Sequence, residues 1–186
     1  WQGKSWEGVS LSNEDFPNTK SIYESLSQHI LNLGGNVEFS SDGPYSHNPD
    51  YVIFVYGETP YAEGEGDIDE LNFSNTNENL IKLLKEFSKK NISTISLFLT
   101  GRPLITDKEI KYSDSFVSIW LPGTAVEGMN DVIFSNLDGS INYDFKGKLS
   151  FSWPSISSDN PLNFNDKNYS PKFEYGYGLT YIETNE

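Results

Sequence analysis

Tyr51-Val-Ile-Phe-Val-Tyr56, followed at once by Gly57-Glu-Thr-Pro-Tyr-Ala-Glu-Gly-Glu-Gly-Asp67, is the stretch from which the rest of the chain can be read. Its first part is continuous, β-branched and aromatic, which predicts a strand buried on both faces of a parallel sheet. The second part is a glycine-punctuated loop that gathers the carboxylates of Glu58, Glu63, Glu65 and Asp67 around Tyr61. Ligands of open α/β sheets bind outside the carboxyl ends of the strands, so this loop lies where a site belongs.

Working outward, Asn18 or Thr19 is placed to cap a helix with Ile22, Leu26, Ile30 and Leu33 on one stripe and Gly34-Gly35 as its stop. A short strand is predicted over Val37 to Ser40, before the turn-rich Ser41 to Asp50. After the acidic loop, Asn75-Thr-Asn-Glu78 opens a helix with Leu80, Leu83, Leu84 and Phe87 facing inward and Lys82, Lys85, Lys89 and Lys90 facing water. Strands follow over Ile92 to Leu99, ending in Thr100-Gly-Arg-Pro103, and over Phe116 to Leu121, ending in Pro122-Gly-Thr124. A third helix is predicted from Ala125 to Asn136. This alternation predicts an α/β fold: a three-layer α/β/α sandwich, flavodoxin-like, with a mainly parallel open sheet and helices on both faces. Residues 1–186 read as a single domain, with 144–186 supplying an edge strand and an extended tail whose aromatics pack down on the sheet.

Composition narrows the function. The chain has 186 residues, a formal net charge of −14 and no cysteine. That acidity argues against a nucleic acid or an anionic membrane as partner, since either needs a basic surface. Without cysteine there is no disulfide, thiolate metal site or cysteine nucleophile. No apolar run approaches about 18 residues, so no membrane-spanning helix is predicted. The first residue, Trp1, is not Met, as expected of a piece of a longer protein. His29 and His47 have no partner at metal-ligand spacing, and Gly64-Glu-Gly-Asp67 carries acids where a phosphate needs donors. No metal or cofactor is therefore expected. Glu58 is expected to make a structural hydrogen bond, Arg102 a salt bridge that fixes its turn, Gly66 and Asp67 to shape the loop, and Trp120 and Trp153 to pack in the core or between domains. On its own an acidic glycine-rich loop reads as solvated surface or a weak cation site.

Five segments in order change that balance: Gly57 to Asp67, Thr100-Gly-Arg-Pro-Leu104, Trp120-Leu-Pro-Gly-Thr124 with Asp131-Val-Ile-Phe134, Gly147-Lys-Leu-Ser-Phe-Ser-Trp-Pro154 and Gly176-Tyr-Gly-Leu-Thr-Tyr181. Together they resemble the C-terminal α/β sandwich domain of family 3 glycoside hydrolases, nearest to the exo-β-glucanase and β-glucosidase type. The resemblance implies a retaining enzyme in which an N-terminal (β/α)8 barrel, absent from this chain, holds the nucleophilic Asp. This domain then lends the general acid/base, which falls on Glu63 of Pro60-Tyr-Ala-Glu63. It also implies that Trp1, in Trp1-Gln-Gly3, forms one wall of a glucose-binding slot, that the substrate is a β-glucan or β-glucoside, and that the protein is periplasmic or secreted. The isolated chain is expected to be inactive and to expose an aromatic face. The alternative is a non-catalytic carbohydrate-binding or protein-interaction domain of the same fold.

A general acid must keep its proton near neutral pH. Like charge from Glu58, Glu65 and Asp67, together with desolvation under a partner domain, would raise the pKa of Glu63 in the assembled enzyme. In the chain alone most of that rise is expected to vanish; a carboxyl-detected NMR titration of Glu63 that shows a strongly raised value there would contradict the account.

Overall fold

The central strand of the sheet carries Leu97 and Phe98 side by side, pointing to opposite faces, and neither is exposed. Such a strand needs a layer on each side, and the computed structural model supplies both. It describes residues 11–61, 63–73, 78–156 and 161–182. In chain order the elements are α1 (Ile22–Asn32), β1 (Tyr51–Gly57), α2 (Glu78–Lys89), β2 (Ser93–Leu99), α3 (Asp107–Lys111), β3 (Ser115–Trp120) and α4 (Glu127–Ile133). The three strands are parallel in the order β1-β2-β3, with Tyr51 opposite Ser93 and Ile95 opposite Ser115.

Because side chains alternate along a strand, each face collects its own cluster. Ile53, Ile95, Leu97, Val117 and Ile119 face Leu26 of α1 and Met129 and Ile133 of α4. Phe54, Tyr56, Phe98 and Phe116 face Leu80, Ile81 and Leu84 of α2. The α/β/α sandwich with a parallel sheet and helices on both faces is thus the observed fold. On the first face α4 is also tied to α1 by a buried amide: Asn130 Nδ2 donates to Ser25 Oγ at 3.0 Å and to the Ser25 carbonyl at 3.3 Å.

Several local expectations are corrected. The cap of α1 is Ser21, not Asn18 or Thr19: its hydroxyl accepts the Glu24 amide while the Glu24 carboxylate accepts the Ser21 amide, a reciprocal capping box. Both orphan donors are met there, and Asn18 is left at φ +65 in the preceding turn. Val37 to Ser40 is not a strand; Phe39 packs instead on Tyr23, ring centroids 4.8 Å apart. β1 forms as expected but is only half-buried, with Tyr51 and Val55 exposed, because among the described residues it pairs on one side only. The strand buried on both faces is β2. Leu83 is half-buried while Ile81 takes its place in the core, and the start at Asn75 lies outside the described residues. α4 stops at Ile133, and Asn136 to Ser140 close a separate turn.

From Asp144 onward the edge strand is reduced, among the described residues, to one antiparallel bridge between Trp153 and Phe173. The rest of the described tail is turns and irregular backbone. Its two runs meet through Leu149 N to the Tyr177 carbonyl and Gly176 N to the Leu149 carbonyl, both 2.8 Å, and Tyr181 Oη donates to the Val132 carbonyl. Only part of its apolar surface packs down: Trp153 and Phe173, with Leu149, join the α2-side cluster. Other aromatics of the tail, among them Phe164 and Tyr175, remain exposed, as do Phe39 and Leu137.

Truncating the doubly covered strand should be costly and truncating the cap mild. Phe98→Ala is expected to lower the unfolding free energy by about 3–5 kcal/mol, and Ser21→Ala by about 1 kcal/mol, in urea unfolding.

Candidate active site

At Gly57 the sheet hands over to the acidic loop. A Cβ there would lie 2.1 Å from the Leu99 carbonyl oxygen, so glycine alone permits the approach. The next amide, Glu58 N, donates to that same carbonyl at 3.1 Å. This sets the Glu58 side chain over the carboxyl end of β2. Thr100 Oγ1, fully buried, lies 2.6 Å from Glu58 Oε2 and 2.6 Å from the Arg102 carbonyl, and accepts the Arg102 amide at 3.2 Å. Its one proton serves two acceptors, and the carboxylate is the stronger.

Arg102 completes the arrangement. Its Nε stands 3.1 Å from Glu58 Oε1, in an ion pair whose side chains are only 18% and 12% exposed. Its Nη1 donates to the Gly66 carbonyl at 2.6 Å, and its guanidinium carbon lies 3.9 Å from the centroid of the Tyr61 ring. That is the geometry in which a cation is attracted to an aromatic face. Gly66 leaves room for the ring: a Cβ there would meet it at 2.5 Å. Between these two contacts the backbone forms a 3₁₀ turn over Glu63–Gly66, closed by Asp67 N on the Gly64 carbonyl at 3.2 Å. Desolvation, and then the Glu58 carboxylate, push the Tyr61 phenol above its ordinary pKa against the opposing pull of Arg102.

Two other strand ends converge here. Ile105 N donates to the Leu71 carbonyl and Phe73 N to the Ile105 carbonyl, stitching the far end of the acidic loop to the loop after β2. At the end of β3 a register shift leaves Trp120 at φ +51, a left-handed conformation uncommon for an aromatic residue. Its carbonyl accepts Thr100 N at 3.3 Å, and its ring meets Phe151 and Trp153 at 5.6 and 6.0 Å. Trp153 is buried, with Nε1 donating to the Leu104 carbonyl at 2.7 Å, so it is a core residue as expected.

Of the predicted site residues, Trp1 lies outside the described residues, as does the side chain of Glu63, whose backbone opens the 3₁₀ turn. The expected roles of Glu58, Arg102, Gly66 and Asp67 in shaping the loop are all realised. The roles of Tyr61 and Thr100 do not follow from the sequence alone. Their partners lie up to 42 residues away, and no local spacing announces such a pairing. His29 packs on Phe134 with centroids 4.7 Å apart, and His47 is an exposed residue beside Ser46 and Glu38. Among the described residues no group of three or more His, Cys, Asp or Glu is arranged to hold a metal ion.

The architecture is that of an α/β domain whose carboxyl-end loop presents one acidic turn on a fixed base. Residues 2–181 match the Glycosyl hydrolase family 3 C-terminal domain, and the chain belongs to that family. It is 46% identical to the exo-1,3/1,4-beta-glucanase of a Pseudoalteromonas species, superposing with a TM-score of 0.89 over 95% of this chain and 22% of that one. It is 30% identical to the lysosomal beta glucosidase of Dictyostelium discoideum over 75% of this chain and 17% of the relative. A beta-glucosidase from Listeria innocua, 23% identical over 72% of this chain and 21% of its own, shares the fold at a TM-score of 0.59. The chain thus spans about a fifth of the length of these relatives.

Removing the countercharge should be costly, because it leaves a guanidinium largely buried without its partner. Glu58→Gln is expected to lower the unfolding free energy by about 3 kcal/mol. Since the folded protein holds the Tyr61 proton more tightly than the unfolded chain, the stability it contributes is complete below the unfolded value and is lost as pH rises through the folded one. Tyr61→Phe should therefore blunt the alkaline loss of stability, read as urea midpoints on either side of pH ~10.

Proposed function

We propose that this chain is the acid/base-bearing domain of a retaining β-glucosidase or exo-β-glucanase. In this reading Glu63 is the general acid/base, Trp1 is one wall of the sugar slot, and an N-terminal (β/α)8 barrel of the same full-length protein supplies the nucleophilic Asp. The observation that carries the reading is the 46% identity and 0.89 TM-score to an exo-1,3/1,4-beta-glucanase across 95% of the chain. It is supported by the acidic turn beginning at Glu63, which follows the carboxyl end of β1.

The chemistry asks two carboxyl groups to stand about 5 to 5.5 Å apart across the glycosidic bond. The barrel carboxylate attacks the anomeric carbon while Glu63 gives its proton to the departing oxygen. A glycosyl-enzyme results, and the ionised Glu63 then takes a proton from the water that hydrolyses it. With only one of the two carboxyl groups, the isolated chain turns over no substrate.

In the full-length protein, Glu63→Gln is expected to lower kcat/KM on an aryl β-glucoside with a poor leaving group by about 10²- to 10⁴-fold. Azide should restore turnover of an activated aryl glucoside by Glu63→Ala, because it attacks the glycosyl-enzyme without needing a base. Full activity of Glu63→Gln would sink the assignment.

A further inference from the structure

We propose that Arg102 is a positioning residue for the Glu63 carboxyl, an inference that rests on the catalytic reading above. It is drawn from where the guanidinium makes its contacts. One lies two residues before Glu63, where the Tyr61 ring stacks at 3.9 Å. Another lies three residues after it, where Nη1 holds the Gly66 carbonyl at 2.6 Å. The third, the Glu58 ion pair at 3.1 Å, roots the guanidinium at the end of β1. The backbone of Arg102 is fixed in turn by Thr100 at the end of β2. One planar cation therefore pins both limbs of the turn that carries the acid/base to the rigid edge of the sheet.

Its role is geometric. The side chain is mostly buried and its contacts go to Glu58, Tyr61 and Gly66 of the loop, so Arg102 acts through Glu63 rather than on the sugar. Lysine cannot replace it: a point charge does not bond Gly66, stack on Tyr61 and pair with Glu58 at once.

Misplacing an acid/base leaves a signature that general unfolding does not. A phenyl β-glucoside departs only if its oxygen is protonated, whereas a 2,4-dinitrophenolate leaves without help. In the full-length protein, Arg102→Lys and Arg102→Gln are expected to lose about 10- to 100-fold in kcat/KM on the phenyl glucoside, the range of a misplacement of roughly an ångström. On the dinitrophenyl glucoside kcat/KM should be nearly unchanged, which also shows that the variants are folded. Its kcat should fall, since deglycosylation needs the base, and azide should raise it again.

Gly66→Ala is the companion variant. Its Cβ pushes into the Tyr61 ring and leaves both charges of the Glu58–Arg102 pair in the chain, and it should reproduce the same leaving-group split. Equal losses on both substrates, or no loss on either, in the Arg102 variants would overturn the inference, as would equal losses in Gly66→Ala. Glu63→Gln, run in parallel, separates the two claims. If it lacks leaving-group dependence, the reading of Glu63 fails; if it has that dependence and the Arg102 variants do not, this inference alone fails.

Discussion

β2 is covered on both faces, and the rest of the architecture follows from that. A strand with Leu97 on one side and Phe98 on the other cannot rest on a single layer, so α1 and α4 close one face while α2 closes the other. The parallel arrangement that permits this puts all three strand ends, Gly57, Leu99 and Trp120, at one edge. Any loop leaving that edge starts from a backbone already held by ladder hydrogen bonds. The acidic loop begins at a fixed point and ends at one, where Leu71 and Phe73 bond to Ile105.

Between those points the loop is organised by charge and an aromatic face rather than by apolar burial. A largely buried ion pair is weak evidence of stabilisation, because desolvating two charges offsets most of what their attraction returns. Glu58 and Arg102 are better understood as a geometric device. The fork of the guanidinium has a fixed shape, and each of its contacts selects one placement of the chain. The strained backbone of Trp120 is settled by its surroundings in the same way: its carbonyl holds Thr100, and its ring fills the space between Phe151 and Trp153.

Much of the fold is legible in the sequence because periodicity reports burial. The strands at Tyr51, Ser93 and Ser115 and the helices at Ile22 and Glu78 all show in their apolar patterns. The errors share a cause. An apolar run says that a segment is a strand but not where it sits in the sheet, so the pattern points to β1 as the doubly buried strand when β2 is. Asn18, Thr19 and Ser21 are all competent caps, and what decides is whether Glu24 can reach back. α3, five residues long, is too short to show a period, yet it buries Glu109 completely. Roles for Glu58 and Arg102 within their own loops follow from their places after strand ends. The convergence of Tyr61, Gly66 and Arg102 does not, because it is created by the parallel register that brings Gly57 beside Leu99.

The flank of β1 that no described strand pairs has a colloidal consequence. A seven-residue strand that pairs on one side only among the described residues, with Tyr51 and Val55 in solvent, is a template onto which another extended segment can add. The net charge of −14 works against two copies doing so, because each molecule repels the other before the edges meet. That protection is a matter of range. As ionic strength shortens the screening length to about 10 Å near 0.1 M and about 3 Å near 1 M, the long-range repulsion fades while the edge keeps its hydrogen-bonding capacity. Salt, rather than heat alone, is then a variable that sets how long the isolated chain stays dispersed.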